Sequence, residues 1–169
     1  MCIENHTTLI LLVRACPCGG KQEGDPITHV LLGYKKRGFG AGKYTGIGGK
    51  IEPGETVRVA AVREMREETG VVMSPHDLVD TGHLTFYFPA RPQWSLTTRI
   101  FIGRRWQGEP TETGEIRPVW FEIDHLPFDT MWDDATYWYP YVLAHKRVRA
   151  TFTFSTDCKT VATSEIEMW

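Results

Sequence analysis

Residues 48 to 71 read GGKIEPGETVRVAAVREMREETGV, and three glutamates within them, Glu64, Glu67 and Glu68, stand at i, i+3 and i+4. Pro53-Gly54-Glu55-Thr56 is a turn leading into a helix start, with Thr56 as the N-cap. Residues 57 to 69 hold no Gly or Pro and are rich in Ala, Glu, Arg and Met, all favourable in helices. Gly70 is the residue type that closes a helix just past its end. The pattern therefore predicts a helix over 57–69 with the three carboxylates on one face. Carboxylates that close repel one another, and a helix C-terminus already disfavours anions. This argues against an intrinsic stabilising role, and a hard divalent cation with oxygen ligands, magnesium or manganese, would relieve the repulsion. Val57, Ala60 and Ala61 continue the stripe N-terminally, which suits a helix packed on a sheet with its C-terminal half lining a site.

The wider pattern is more specific. From Gly49 the order is glycine, five residues, Glu55, seven residues, Arg63-Glu64, apolar Met65, Arg66, Glu67-Glu68, Thr69, Gly70 and apolar Val71. This fills every fixed position of the Nudix box, G-x5-E-x7-R-E-U-x-E-E-x-G-U with U apolar, and the chain resembles a Nudix hydrolase. An acidic run alone would read as a solvated helix surface. The resemblance implies an α/β (α+β mixed) Nudix fold, a mixed β-sheet sandwiched between two main helices.

The chain of 169 residues suffices for one domain with a sizeable core, and residues 1–169 are expected to form a single one. A net charge of −2 gives no overall basic signature, so no obligatory nucleic-acid partner is expected. No apolar run approaches ~18 residues, so no membrane span is expected. The start, MCIENHTTLILLV, lacks a basic n-region and a small-residue cleavage site and is not read as a signal peptide. Cys16-Pro17-Cys18 with His29 is a poor match to structural zinc spacing. Free thiols at Cys2, Cys16, Cys18 and Cys158, a cytoplasmic location and a monomer are expected.

Strands are predicted over 7–14 and 28–35 as a hairpin, 81–88 and 96–104 as a pair, 117–123, and a closing hairpin of 149–155 and 159–166. A Gly/Pro-rich loop covers 15–26. A second helix starts after Asp133 or Asp134 and runs to about Lys146, with Pro140 as a possible kink. Six glycines between Gly38 and Gly49 suit a segment moulded around a ligand.

Outside the box, LLGYKKRGFGAGKYTGIGGK (31–50), EIRPVWF (115–121), LPFDTMW (126–132) and DATYWYP (134–140) resemble the MutT-homologue subgroup, which hydrolyses oxidised purine nucleoside triphosphates. That resemblance implies Mg²⁺, with Mn²⁺ able to substitute, held by the Gly48 carbonyl, Glu64, Glu67, Glu68 and Glu115. One of the three helix glutamates would be the general base. Glu55 and Arg63 would pair to brace the box. Lys35, Phe39 and Trp132 would line the nucleoside pocket, with Trp132 stacking on the purine. Thr8, Phe86, Phe88, Leu96 and Trp138 would form its walls. Two departures stand out. Thr45 replaces an asparagine that reads the purine edge, and Trp132-Asp133-Asp134-Ala135 replaces Trp-Pro-Asp-Asp. Asp134 keeps one acidic position, Ala135 takes the other, and a local shift would let Asp133 compensate. The substrate expected is an oxidised purine nucleoside triphosphate such as 8-oxo-dGTP or 2-hydroxy-dATP. The alternatives are another nucleoside diphosphate-linked substrate (ADP-ribose, a dinucleoside polyphosphate, capped RNA) or a non-catalytic nucleotide sensor, against which the intact carboxylate set argues.

Overall fold

A computed structural model describes residues 3–15 and 23–169. Cys2, Cys16, Cys18 and most of the 15–26 loop lie outside the described residues; Cys158 is a buried free thiol. Eight strands form one mixed sheet: β1 Asn5–Ala15, β2 Ile27–Lys35, β3 Tyr44–Thr45, β4 Leu78–Tyr87, β5 Leu96–Gly103, β6 Ile116–Glu122, β7 Val148–Phe154 and β8 Val161–Met168. Their order is β3-β2-β1-β5-β4-β7-β8, with β6 also on β2. The β1/β5 and β4/β7 pairs are parallel and the others antiparallel. Both predicted hairpins and the β4/β5 pair form, with ends displaced by a few residues. The two-residue β3 was not foreseen.

Two helices cover the two sheet faces. Helix α1 spans Val57–Thr69, capped by the Thr56 side chain accepting from the Val59 N–H and closed by Gly70 in the left-handed region. Ala61 and Met65 of α1 pack with Ile10, Leu12, Leu31 and Phe101. Helix α2 spans Ala135–Leu143, and Trp138 and Val142 pack with Leu11, Val13, Ile100 and Phe152 on the opposite face. Alternate β1 residues thus serve opposite cores, as the two-residue strand period requires. Val57 departs from the expected stripe: it is exposed, and Ala60, Ala61, Met65 and Thr69 are the buried positions. Helix α2 stops three residues before Lys146 because the chain turns left-handed at His145, φ 67°. Pro140 lies within it.

Residues 44–50 run between β1 and β2. Tyr44 and Thr45 pair with β2 at Tyr34 and Gly33, while the Ile47 carbonyl accepts from Ile10 N at 2.7 Å and the Gly49 carbonyl from Thr8 N at 2.9 Å. This insertion brings the box's first glycines against β1. A Cβ at residue 48 would stand 1.8 Å from the Thr8 carbonyl oxygen, so only glycine fits.

A second close approach sets the far half of the sheet. Gly82 sits at a β4 bulge with φ 122°, and a Cβ there would stand 1.7 Å from the Val148 carbonyl oxygen of β7. Gly82→Ala is expected to cost on the order of 3 kcal/mol through strain and strand separation, lowering Tm by roughly 6–12 °C for a chain of this size. Thermal unfolding followed by circular dichroism checks it, and a Tm within a degree of wild type would contradict the argument.

Candidate active site

Arg63 organises the acidic helix. Its Nε donates to Glu55 Oε1 at 2.5 Å and its Nη2 to Glu55 Oε2 at 3.0 Å. Nη2 also reaches the Lys50 carbonyl at 3.0 Å, and Nη1 reaches Glu64 at 3.0 Å and Glu67 at 3.1 Å. The planar guanidinium fork allows this simultaneous bonding, which a lysine cannot reproduce. Glu55 also accepts from the Glu52 N–H at 2.9 Å, so it ties the turn before α1 to the middle of the helix.

The three helix glutamates sit in different surroundings. Glu67 is largely exposed and Glu64 is mostly covered. The Glu64 carboxylate lies where a Cβ on residue 49 would be, 2.5 Å from its Cδ. Burial raises the Glu64 pKa, against the nearby Arg63. Burial, then the Glu64 charge, pushes Glu68 up to about 7; Lys35 and the Gly48 N–H pull it back only partly. Glu115, just before β6, adds to the repulsion at Glu68; its own carboxylate pairs with Arg37 at 2.5 Å.

Nudix hydrolases work with a divalent metal. The donor chemistry here fits one: Glu68 and Glu64 are hard oxygen donors, half-buried one helical turn apart, whose mutual repulsion a cation would relieve. Among the described residues no three acidic, His or Cys side chains are already drawn into a ligating cluster. Arg63 instead engages Glu64 and Glu67.

A cavity of about 180 Å³ joins Glu68, Gly48 and Gly49 to the α2 region. Thr8 and Lys35 enter it from β1 and β2, Phe39 and Thr45 from the glycine-rich segment. Phe86, Phe88 and Leu96 form walls from β4, its end and β5. Trp132, Asp134 and Trp138 line the α2 side. Phe39 stacks on Trp132 with ring centroids 5.2 Å apart, and Phe88 meets Trp132 edge-on at 6.0 Å. Trp138 belongs to both core and pocket, and its indole N–H donates to Asp134 at 2.8 Å. Asp134 is therefore no side-chain cap for α2.

Asp133 does not line the cavity. Its carboxylate accepts from the Val161 N–H at 2.8 Å, anchoring the start of β8, so no shift brings it in to replace the acid missing at Ala135. Glu64, Glu67 and Glu115 also lie outside the cavity lining, and of the helix glutamates only Glu68 reaches it. Four polar residues outside the sequence expectation also line it: Thr7 of β1, Tyr44 of β3, Thr98 of β5 and Tyr139, whose phenol accepts from the Gly46 N–H at 3.1 Å. Tyr139 falls four residues after Ala135, one helical turn along the same face, a spacing that would have signalled it.

The described residues contain no helix long and apolar enough to cross a membrane. Residues 9–142 match the family model of the NUDIX domain, and the chain belongs to the Nudix family. Among similar proteins are the oxidized purine nucleoside triphosphate hydrolases of Mus musculus and Danio rerio. They are 44% and 45% identical over 126 residues, covering 75% of this chain and 79% of each relative. The 8-oxo-dGTP diphosphatase of Escherichia coli is 41% identical over 63 residues, 37% of this chain and 45% of its own. The MutT protein of Bacillus halodurans shares the fold with a TM-score of 0.75, covering 96% of this chain and 97% of its own at 20% identity.

Burial holds the Asp134 pKa up to about 6, although the Trp138 N–H favours the charged form. An unfolded Asp titrates near ~3.9, so below about pH 4 the group costs nothing. The penalty grows between about pH 4 and pH 6 and is complete above, amounting to about 3 kcal/mol. Asp134→Asn removes it. The stability of the variant relative to wild type is therefore expected to rise from pH 4 to 6 and then level off. Urea titrations of both proteins across that range measure this, and parallel pH profiles would refute it.

Proposed function

We propose that this chain hydrolyses purine nucleoside triphosphates, oxidised ones included, to a nucleoside monophosphate and pyrophosphate, with Mg²⁺ as cofactor and Mn²⁺ able to replace it. The observation that carries the reading is one continuous cavity running from Glu68 to the Trp132–Asp134 wall. It can take an aromatic base at one end and phosphates at the other. The named activities of the two relatives that share three quarters of the chain point the same way.

Bound Mg²⁺ would offset triphosphate charge and lower the pKa of a coordinated water. Glu64, Glu67, Glu68, the Gly48 carbonyl and Glu115 are the residues that would hold it. Lys35 acts electrostatically on Glu68 and lines the same cavity, which supports a phosphate-binding role for it. Glu68 is the preferred proton acceptor, since a base is most effective near the working pH and burial holds its pKa at about 7. Trp132 offers a flat aromatic face for stacking, and Asp134 is the one carboxyl on the base side of the cavity lining. We read the chain as one domain, supported by a sheet shared by the eight strands of the described residues and a match that spans residues 9–142, and as a monomer acting in the cytoplasm.

The buried methyl of Ala135 and the outward-turned Asp133 favour a second reading, in which the same chemistry serves another nucleoside diphosphate-linked substrate. Values of kcat/KM for 8-oxo-dGTP, 2-hydroxy-dATP, dGTP and ADP-ribose separate the two, with the oxidised triphosphates expected to lead. The Glu67→Gln, Glu68→Gln double variant is expected to keep its fold and lose at least roughly a hundredfold in kcat on every substrate. Undiminished turnover by that variant would defeat both readings. Pyrophosphate release by wild type with Mg²⁺ alone would dispose of a non-catalytic sensor.

A further inference from the structure

Thr98 lies in β5 between Thr7 of β1 and Leu84 of β4 in the strand register. It is 6% exposed and lines the cavity, yet its Oγ1 has no hydrogen-bond partner among the described residues. Neighbouring strand threonines are satisfied: Thr7 Oγ1 donates to the Thr97 carbonyl at 3.0 Å and Thr81 Oγ1 to the Ile100 carbonyl at 3.1 Å. A buried unpaired hydroxyl is costly, and valine would fill the same volume without that cost. Thr8 Oγ1 is also unpaired, but Thr8 abuts Gly48 and belongs to the phosphate end. On the base side Asp134 is engaged by Trp138 and Tyr139 by Gly46. Thr45 and Ala135 leave that side short of an amide and a second acid.

We propose that Thr98 is a specificity-determining contact of this chain, its hydroxyl bonding a polar atom on the edge of the bound base. A hydroxyl both donates and accepts, so it can match a carbonyl oxygen, a ring N–H or an amino group, including the oxygen that oxidation adds to a purine. The inference rests on the purine nucleotide reading above. Its consequence is that the base is read from the sheet as well as from α2.

The test is kcat/KM on 8-oxo-dGTP, 2-hydroxy-dATP, dGTP and dATP for wild type, Thr98→Val and Thr98→Ser, with Tm measured for each. Thr98→Val is expected to lose roughly tenfold to a hundredfold on the bases that use the contact and little on the others. Thr98→Ser is expected to retain the wild-type ranking, and the Tm of Thr98→Val to stay level or rise. Should the valine variant fail to fold, Thr98→Ala removes the hydroxyl with less bulk and is expected to change the ranking in the same way. An unchanged substrate ranking, or an equal loss on all four, would overturn the role of Thr98 while leaving the hydrolase reading intact. Wild type that turns over none of the four would instead remove the reading on which it rests.

Discussion

The backbone contact between Gly48 and Thr8 holds the two halves of this molecule in register. Only because residue 48 lacks a Cβ can the 44–50 segment enter between β1 and β2 and bond to Thr8 and Ile10. That insertion places the Gly48 N–H at Glu68 and puts Gly49 under the Glu64 carboxylate. It also delivers Thr45 and Gly46 to Tyr139 of α2. The same seven residues therefore touch the acidic helix on one face of the sheet and the base pocket on the other. Widening this approach would separate the phosphate chemistry from the base it acts beside.

The electrostatics follow from that geometry. A helix that offers carboxylates to a cation must hold them without the cation during folding, and burial makes this worse for Glu64 and Glu68. Arg63 answers part of the problem, spanning Glu55, Glu64 and Glu67 with a single guanidinium. Glu68 is not among the carboxylates that Arg63 bonds, and it keeps an elevated pKa instead. The strain left at Glu68 is the quantity a divalent ion would relieve. Stability and function are thus set against each other at one residue, as is common where perturbed pKa values mark a site.

Helix α1 was legible to the residue because its information is local: Thr56, the Gly-free run and Gly70 each act within one or two turns. The long strands were legible as alternating runs, with fraying only at their ends. Strand β3 was invisible because two residues carry no period, and its pairing depends on the space that β1 leaves beside β2. The Glu55–Arg63 pair was expected from the family resemblance, and the structure makes it. Asp133 shows the limit. Its partner is the Val161 N–H, 28 residues away, and nothing local in Trp132-Asp133-Asp134-Ala135 says which of two adjacent acids faces inward. The unpaired state of Thr98 is likewise a property of three strands meeting, not of the residues around it in the chain.

On the proposed reading, phosphate recognition and base recognition are built from different materials. The phosphate end uses charge, which acts over several ångströms and tolerates small displacements. The base end is a mostly apolar aromatic chamber in which a few hydroxyls and one carboxyl must each find a partner. An amide can bond two atoms of a base edge in a fixed plane, whereas a threonine or tyrosine hydroxyl rotates and serves as donor or acceptor. On the proposed reading, a pocket that offers the hydroxyls of Thr45, Tyr139 and Thr98 trades planar discrimination for adaptability. A pocket of that kind would serve more than one oxidised purine, because the polar group that oxidation adds could be met from the sheet or from α2 without rebuilding the walls.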